Sequence, residues 1–129
     1  MAADSRCVTI LCVDDEDLPR TLRELILQKK GYQVITATSG EEALELLVQG
    51  GIDLVLTDQV MPGMTGTELT KLVKSTRPAL PVILISAVNE IPPDAIYADR
   101  FISKLGGPEL LFDTVAEVLA MYAARTQTE

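Results

Sequence analysis

The stretch Leu56–Gly66, LTDQVMPGMTG, runs out of an apolar segment into an acid and then into a loop. Asp58 directly follows DLVLT (53–57), a run that is typical of a strand buried on both faces. A carboxylate at the end of such a strand is costly to bury unless a nearby group compensates for its charge. Pro62 and Gly63 then turn the chain away. The stretch therefore predicts a compensated acid at a strand end.

Apolar runs and amphipathic segments alternate along the rest of the chain. Short apolar runs predict strands at residues 7–13, 32–37, 53–57, 81–86 and 100–104. The segments between them have apolar residues at helical spacing, which predict these buried stripes: Leu18, Leu22, Leu25 and Ile26; Leu44, Leu47 and Val48; Leu69, Leu72 and Val73; and Leu111, Val115, Val118, Leu119 and Tyr122. Such strand–helix units with short connections imply a parallel sheet that is covered by helices on both faces.

Three helix starts carry local signals. Ser39 with Glu42, and Thr65 with Glu68, have the spacing of a capping box. Pro108 suits the first position of the last helix. The run 81–86 has no polar face, so we expect this strand to lie inside the sheet.

Composition narrows the class of protein. The 129 residues predict a single domain over 1–129, with a core at about 7–122 and frayed termini. The net charge of −8 argues against direct binding to nucleic acid or to an anionic membrane. The chain has no histidine, which excludes Ser-His triads and His-ligated zinc within it. Cys7 and Cys12 suggest reduced core thiols, and with no signal peptide or membrane span apparent, we expect a cytoplasmic protein.

Polar residues gather where the predicted strands end. The acids of DDED (14–17) follow strand one, Asp58 follows strand three, Ser86 ends strand four and Lys104 ends strand five. Taken singly, the acids could favour a helix N-terminus and the lysine could be solvated. In a parallel sheet, however, these ends meet at one edge, where ligands bind. Converging carboxylates repel each other unless a cation lies among them, and hard oxygen donors suit Mg²⁺.

The loop after strand one excludes two common uses of such a sheet. A flavin or nucleotide phosphate needs a glycine-rich loop at this point. Residues 14–17 are all acidic and repel anions. A flavodoxin-type or P-loop function is therefore disfavoured.

The order VDDE, TDQVMPGMTG, SA and FISK resembles the receiver domain of two-component response regulators, over about residues 7–122. The resemblance implies a three-layer, flavodoxin-like (βα)5 fold with strand order 2-1-3-4-5. It implies that Asp58 is the phosphoacceptor. It further implies that Asp14 and Asp15 hold Mg²⁺ together with Asp58 and the backbone carbonyl of Val60.

The same resemblance implies roles around the phosphoryl group. Lys104 would pair with Asp58 or its phosphoryl group, Ser86 would bind a phosphoryl oxygen, and Phe101 would be an aromatic switch. The phosphoryl donor would be a histidine kinase or a histidine phosphotransfer protein. A downstream protein target or output domain would read the change, and homodimerisation is left open.

Three features depart from the family pattern. Leu105 follows Lys104 where the family has proline, and we expect a trans peptide bond there. Ser86 and Lys104 are only 18 positions apart, which predicts a shortened fourth helix at about 92–98. Val60 and Val88 cannot orient an attacking water, which predicts a persistent aspartyl-phosphate.

Two other functions compete with a phosphorylated receiver. A receiver-like module could bind partners constitutively, and the altered lysine loop is compatible with that. A small Mg²⁺-dependent phosphatase could use Asp58 as its nucleophile. It would need a second acid two residues further on, where Val60 stands.

Overall fold

The computed structural model describes residues 8–87 and 97–127. The strands are β1 (Thr9–Val13), β2 (Gln33–Ala37), β3 (Leu54–Asp58), β4 (Val82–Ser86) and β5 (Arg100–Ser103). The helices are α1 (Asp17–Lys29), α2 (Gly40–Val48), α3 (Gly66–Thr76) and α4 (Gly107–Gln127), and a 3-10 turn (Lys104–Gly106) joins β5 to α4. Every predicted strand is confirmed to within two residues at each end.

The strands form one parallel sheet in the order β2-β1-β3-β4-β5. This is the order that the sequence predicted. β3 is central, and β4 lies inside the sheet between β3 and β5, as its fully apolar sequence indicated. Within each pair the register aligns the carboxyl ends, so that Asp58 lies opposite Ile85 and Ser86 opposite Ser103.

Two hydrophobic cores fill the space on either side of the sheet, because successive side chains of a strand point to opposite faces. Leu11 and Val55 pack against α2 and α3 on one face. Ile10 and Leu54 pack against α1 and α4 on the other. The result is the predicted three-layer arrangement, in which helices cover both faces.

The helical periods are confirmed, but several predicted buried faces are wrong. Leu18, Leu22 and Leu25 of α1 are 70%, 52% and 54% exposed, whereas Leu27 is fully buried. Leu27 lies two positions beyond Leu25, which is about 200° around a helix of 3.6 residues per turn. Leucines therefore occupy both sides of α1, and a prediction based on their spacing alone took the exposed leucines to be the buried ones. Val48 and Leu72 are likewise exposed, whereas the α4 stripe is confirmed.

The two predicted capping boxes differ in outcome. At α3 both bonds form, from the Glu68 amide to the Thr65 hydroxyl at 3.1 Å and from the Thr65 amide to the Glu68 carboxylate at 2.9 Å. At α2 the Ser39 hydroxyl accepts from the Glu42 amide at 3.1 Å. The Glu42 carboxylate instead binds the amide and hydroxyl of Thr38, so this box is only half formed.

The other sequence predictions concern single residues and the region before β5. Pro108 lies in the first turn of α4, as predicted. Most of the shortened fourth helix predicted at 92–98 lies outside the described residues, as do Cys7 and Val88. Cys12 is a buried free thiol, and burial raises its pKa to about 12. In the part of the chain that the structure describes, no helix is long and apolar enough to span a bilayer.

Candidate metal centre at the carboxyl edge of the sheet

Three carboxylates meet at the carboxyl edge of the sheet. Asp14 directly follows β1, Asp15 is next to it, and Asp58 is the last residue of β3, the strand adjacent to β1. One oxygen from each of the three lies within 4.8 Å of the others. The topology therefore assembles the acid cluster that the sequence predicted from separate segments, and Asp14, Asp15 and Asp58 are hereafter called the acid cluster.

Asp14 is the most strongly held member of the acid cluster. It is fully buried. Its Oδ1 accepts a hydrogen bond from the Glu16 amide at 2.9 Å, and its Oδ2 accepts one from Arg23 Nη1 at 2.6 Å. The Arg20 guanidinium also donates to the Asp14 backbone carbonyl at 2.9 Å. Both carboxylate oxygens are thus engaged by donors of this chain, which fixes the orientation of Asp14.

Lys104 is brought to Asp58 by the 3-10 turn that follows β5. Its Nζ lies 2.7 Å from Asp58 Oδ1. The contact is a close ion pair, and no other hydrogen-bond donor of the described residues reaches this buried oxygen. The Lys104–Leu105 peptide is trans, as predicted. The lysine therefore reaches the acid without the proline that usually follows it in the family.

Burial has the largest effect on the pKa of Asp58, which is only 2% exposed. Desolvation raises the pKa of its carboxyl above the ordinary value, and the nearby Asp14 charge adds to this rise. Lys104 opposes both effects without cancelling them. Asp58 is therefore a carboxylate whose negative charge is only partly compensated.

The loop after Asp58 is held so that α3 begins close to the acid. The Gln59 side chain accepts from the amide and hydroxyl of Thr67 at 2.9 and 2.8 Å, and the Gly66 amide donates to the Gln59 carbonyl at 2.9 Å. A side chain on Gly66 would collide with the Asp58 carbonyl and with Leu84. Gly63 adopts φ = 80°, a conformation that favours glycine. The MPG turn predicted from the sequence is therefore built around a close backbone approach.

A cavity of about 580 Å³ opens over the acid cluster. Its lining residues are Asp15, Glu16, Asp58, Val60, Met61, Pro62, Ala87 and Lys104. Carboxylate oxygens in a roomy, water-accessible site are the donors that Mg²⁺ prefers, because this ion keeps part of its hydration shell. Oδ1 of Asp58 is buried and lacks a hydrogen-bond partner among the described residues, which is consistent with a carboxylate that binds a cation. The residues present therefore fit Mg²⁺.

The other residues singled out from the sequence lie near the acid cluster or at its margin. Val60 lines the cavity, and its residue is 72% exposed. Ser86 ends β4, one position beyond the residue that pairs with Asp58. Phe101 lies in the edge strand β5 opposite Leu84 and is half-buried. Ser86 therefore lies at the same edge of the sheet as Asp58, and Phe101 lies one strand further out.

Sequence reasoning missed the two arginines that hold Asp14. Arg20 and Arg23 lie at helical spacing with the buried Leu27, on the face of α1 that packs against the sheet. A charged residue on an inner helix face breaks the apolar pattern, and that break was the available signal. Arg23 and Lys104 therefore each place a positive charge against one of the three acids.

Comparison with known proteins agrees with the fold and identifies the family. The family model described as response regulator receiver domain matches residues 10–116. The chain belongs to the family of response regulator receiver domains, the regulatory domains of two-component signalling.

Similar curated proteins are much longer than this chain. The transcriptional regulatory protein GlrR of Escherichia coli K12 is 34% identical over 122 residues, which cover 91% of this chain and 27% of GlrR. The sensor kinase CckA of Brucella abortus is 37% identical over 123 residues, which cover 89% of this chain and 13% of CckA. The chain therefore corresponds to a minor part of each relative.

Solved structures match over nearly their full length. The response regulator TrrA of Thermotoga maritima, solved in complex with Mg²⁺–BeF, is 33% identical with a TM-score of 0.81, and the match covers 85% of this chain and 97% of TrrA. A CheY-like receiver domain from Methanospirillum hungatei is 26% identical with a TM-score of 0.87, and the match covers 93% of this chain and 99% of that domain. The flavodoxin-like receiver fold predicted from the sequence is confirmed.

Proposed function

We propose that this receiver domain accepts a phosphoryl group on Asp58 from a phosphohistidine of a partner protein, with Mg²⁺ held at the acid cluster. The observation that carries the proposal is the pairing of a buried, partly compensated Asp58 with Lys104 at 2.7 Å, beside two further carboxylates. The chain contains no histidine, so the donor must lie on another chain or segment.

The chemistry requires positioning and neutralisation of charge rather than acid–base catalysis. An Asp58 carboxylate oxygen attacks phosphorus, the new O–P bond forms as the P–N bond breaks, and the donor imidazole leaves. Asp14, Asp15, Asp58 and the Val60 carbonyl would hold Mg²⁺, which supplies positive charge to the oxygens of the transferring group. Lys104, whose Nζ lies 2.7 Å from Asp58 Oδ1, would add a second positive charge.

Phosphorylation would shift a pre-existing equilibrium between an inactive and an active conformation of the protein. Ser86 lies at the end of β4, where its hydroxyl would reach a phosphoryl oxygen. Phe101 is half-buried on the adjacent edge strand and would change its exposure in response. The proposed readout is therefore a change in protein–protein contacts at the edge strand β5.

An apolar groove beside the acid cluster supports docking of a partner there. It has a volume of about 380 Å³ and lies between α1 and α4, with Leu22, Ile26 and Leu111 among its lining residues. Lys104 lines both this groove and the acidic cavity. Leu18 and Leu105, which adjoin the lining residues Pro19 and Lys104 in the sequence, are exposed. A histidine kinase or histidine phosphotransfer protein bound here would present its histidine close to Asp58.

The longer relatives suggest how phosphorylation is used. Their names describe a transcriptional regulatory protein and a sensor kinase. We propose that this receiver likewise controls an output domain or a separate protein target, in the cytoplasm, and that it acts as a phosphorylated switch and not as an enzyme on other molecules. With a net charge of −8, the receiver itself is unsuited to binding nucleic acid.

One observation favours a second function, a constitutive interaction module. Leu105, in the turn directly after Lys104, is 88% exposed, where the family usually has proline. An exposed leucine beside an apolar groove would suit a partner that binds without phosphorylation.

Incubation with Mg²⁺ and acetyl phosphate separates the two functions. A phosphorylated receiver gains the mass of one phosphoryl group, and the gain disappears in Asp58→Ala and in the absence of Mg²⁺. Asp53→Ala, at the amino end of β3, is the matched control and should still be labelled. Absence of labelling at saturating donor, in protein that is folded, would favour the interaction module.

A further inference from the structure

Arg23 is a charged residue on the inner face of α1. Its side chain is 13% exposed and pairs with Asp14, which is fully buried, at 2.6 Å. It also lines the apolar groove between α1 and α4. An arginine in this position loses most of its hydration, so its contact with Asp14 must compensate for that loss.

The pair changes the charge that a metal ion would meet. Arg20 is paired with Asp17 and reaches only the backbone of Asp14, so without Arg23 the side chain in ionic contact with the three carboxylates would be Lys104, and the set would carry a net charge of −2. With Arg23 paired to Asp14, the same set carries a net charge of −1. Since a divalent cation is attracted in proportion to this charge, Arg23 must weaken its binding.

The pairing with Arg23 need not prevent Asp14 from serving a metal ion, because the carboxylate has more acceptor positions than its two donors use. Arg23 donates one hydrogen bond to Oδ2, and the Glu16 amide donates one to Oδ1. A carboxylate offers about four acceptor positions, so each oxygen retains capacity for a water molecule. Because Mg²⁺ usually binds through few carboxylates and several waters, Asp14 can serve it while remaining paired.

We propose that Arg23 is a positioning residue that keeps the acid cluster assembled without metal and lowers its affinity for Mg²⁺. The inference rests on the proposed function, because it takes the acid cluster to be the Mg²⁺ site. Arg23 supplies a built-in counter-charge to Asp14, as Lys104 does to Asp58. Occupancy by Mg²⁺ then depends on its concentration in solution instead of being permanent.

Calorimetric titration with Mg²⁺ alone tests this role. Arg23→Gln removes the charge but keeps a hydrogen-bond donor, and its dissociation constant should fall by about tenfold, since one unit charge acts over several ångströms in a partly hydrated site. Arg23→Lys keeps the charge and should remain within about threefold of the unchanged protein. Arg100→Gln is the control, because it removes an equal charge from an exposed pair with Glu117.

Each result bears on the proposal. Equal or weaker Mg²⁺ binding in Arg23→Gln would overturn it. Loss of binding in Arg23→Lys would also overturn it, because shape and not charge would then control the site. If Arg23→Gln folds only with Mg²⁺, the metal dependence of its thermal unfolding gives the affinity instead. Failure of the unchanged protein to bind Mg²⁺ would count against the proposed function itself.

Discussion

Replacing Asp99 with asparagine tests a polar network at the amino end of the sheet, opposite the acid cluster. Asp99 Oδ2 accepts from Lys74 Nζ and from the Val82 amide, both at 2.8 Å, and Oδ1 accepts from the Tyr122 hydroxyl at 2.7 Å. The side chains of Lys74 and Asp99 are 15% and 18% exposed. The network therefore joins α3, β4, β5 and α4 in a region that solvent screens poorly.

The expected loss of unfolding free energy in Asp99→Asn comes from removing the charge while the side chain keeps its shape. A hydrogen bond to a charged group contributes about 1.5–3 kcal/mol and a neutral one about 0.5–1.5 kcal/mol, so two weakened bonds cost roughly 2 kcal/mol. The amide has a single acceptor oxygen, so it cannot accept both from Tyr122 at one position and from Lys74 at the other, as the two carboxylate oxygens do. For a chain of this length, that loss lowers the midpoint of thermal unfolding by roughly 6–10 °C.

The pH dependence of the effect distinguishes charge from shape. Burial by itself raises the pKa of Asp99, but Lys74, Tyr122 and the Val82 amide outweigh it, and the pKa lies below the ordinary value. A lowered folded-state pKa stabilises the protein above the unfolded-state value, and that stabilisation is lost as pH falls through the folded-state value. The difference in unfolding free energy between the unchanged protein and Asp99→Asn should therefore shrink below about pH 4.

Urea unfolding at several pH values between neutral and acidic measures this difference. Asp113→Asn, at an exposed position of α4, is the matched control and should change stability little. A difference for Asp99→Asn that is absent at neutral pH, or that stays constant down to acidic pH, would refute the role assigned to the network.

Two further predictions concern the acid cluster and its surroundings. Gly66→Ala should destabilise the protein by about 1–3 kcal/mol, because its new methyl group would collide with backbone at Asp58 and Gln59; Gly40→Ala, which meets only the flexible Met64 side chain, should cost less in the same denaturation assay. The phosphoryl group on Asp58 should persist for minutes in purified protein with Mg²⁺, because Val60 cannot orient water, and its loss within seconds by mass spectrometry would contradict this.

The sheet could be predicted from the sequence because its inner strands β1, β3 and β4 are nearly continuous apolar runs that end at or beside polar residues. In a parallel sheet those ends must lie together, so the convergence of Asp14, Asp58 and Lys104 followed from topology. The structure confirms their proximity. Their proposed roles in phosphoryl transfer, and those of Ser86 and Phe101, rest on the family resemblance and stay predictions.

The faces of the helices were less predictable. In α1, leucines occur at helical spacing on the exposed side, while Arg20 and Arg23 share the inner side with Leu27. Hydrophobic periodicity favours the leucines, but the inner face must also serve a buried acid. The buried charge of Asp14 needs a positively charged partner, so arginines replace apolar residues on this face of α1. This need is apparent only when β1 and α1 are placed together.

Local sequence also left the link after β5 undetermined. Proline was absent after Lys104, which indicated a trans bond, but not the 3-10 turn that carries the lysine to Asp58. The Ser103 hydroxyl accepts from the Leu105 amide at 3.1 Å and stabilises this turn. Such a side chain–backbone bond depends on the conformation that the sheet and α4 impose at either end.

The most direct test of the central claim is a crystal structure of the protein with Mg²⁺ and beryllium fluoride. We predict a beryllium fluoride group bonded to an Asp58 carboxylate oxygen, with Lys104 against its fluorides and Mg²⁺ between it and Asp15. A saturated crystal in which Asp58 stays unmodified and remains paired with Lys104 would contradict the claim that Asp58 is the phosphoacceptor.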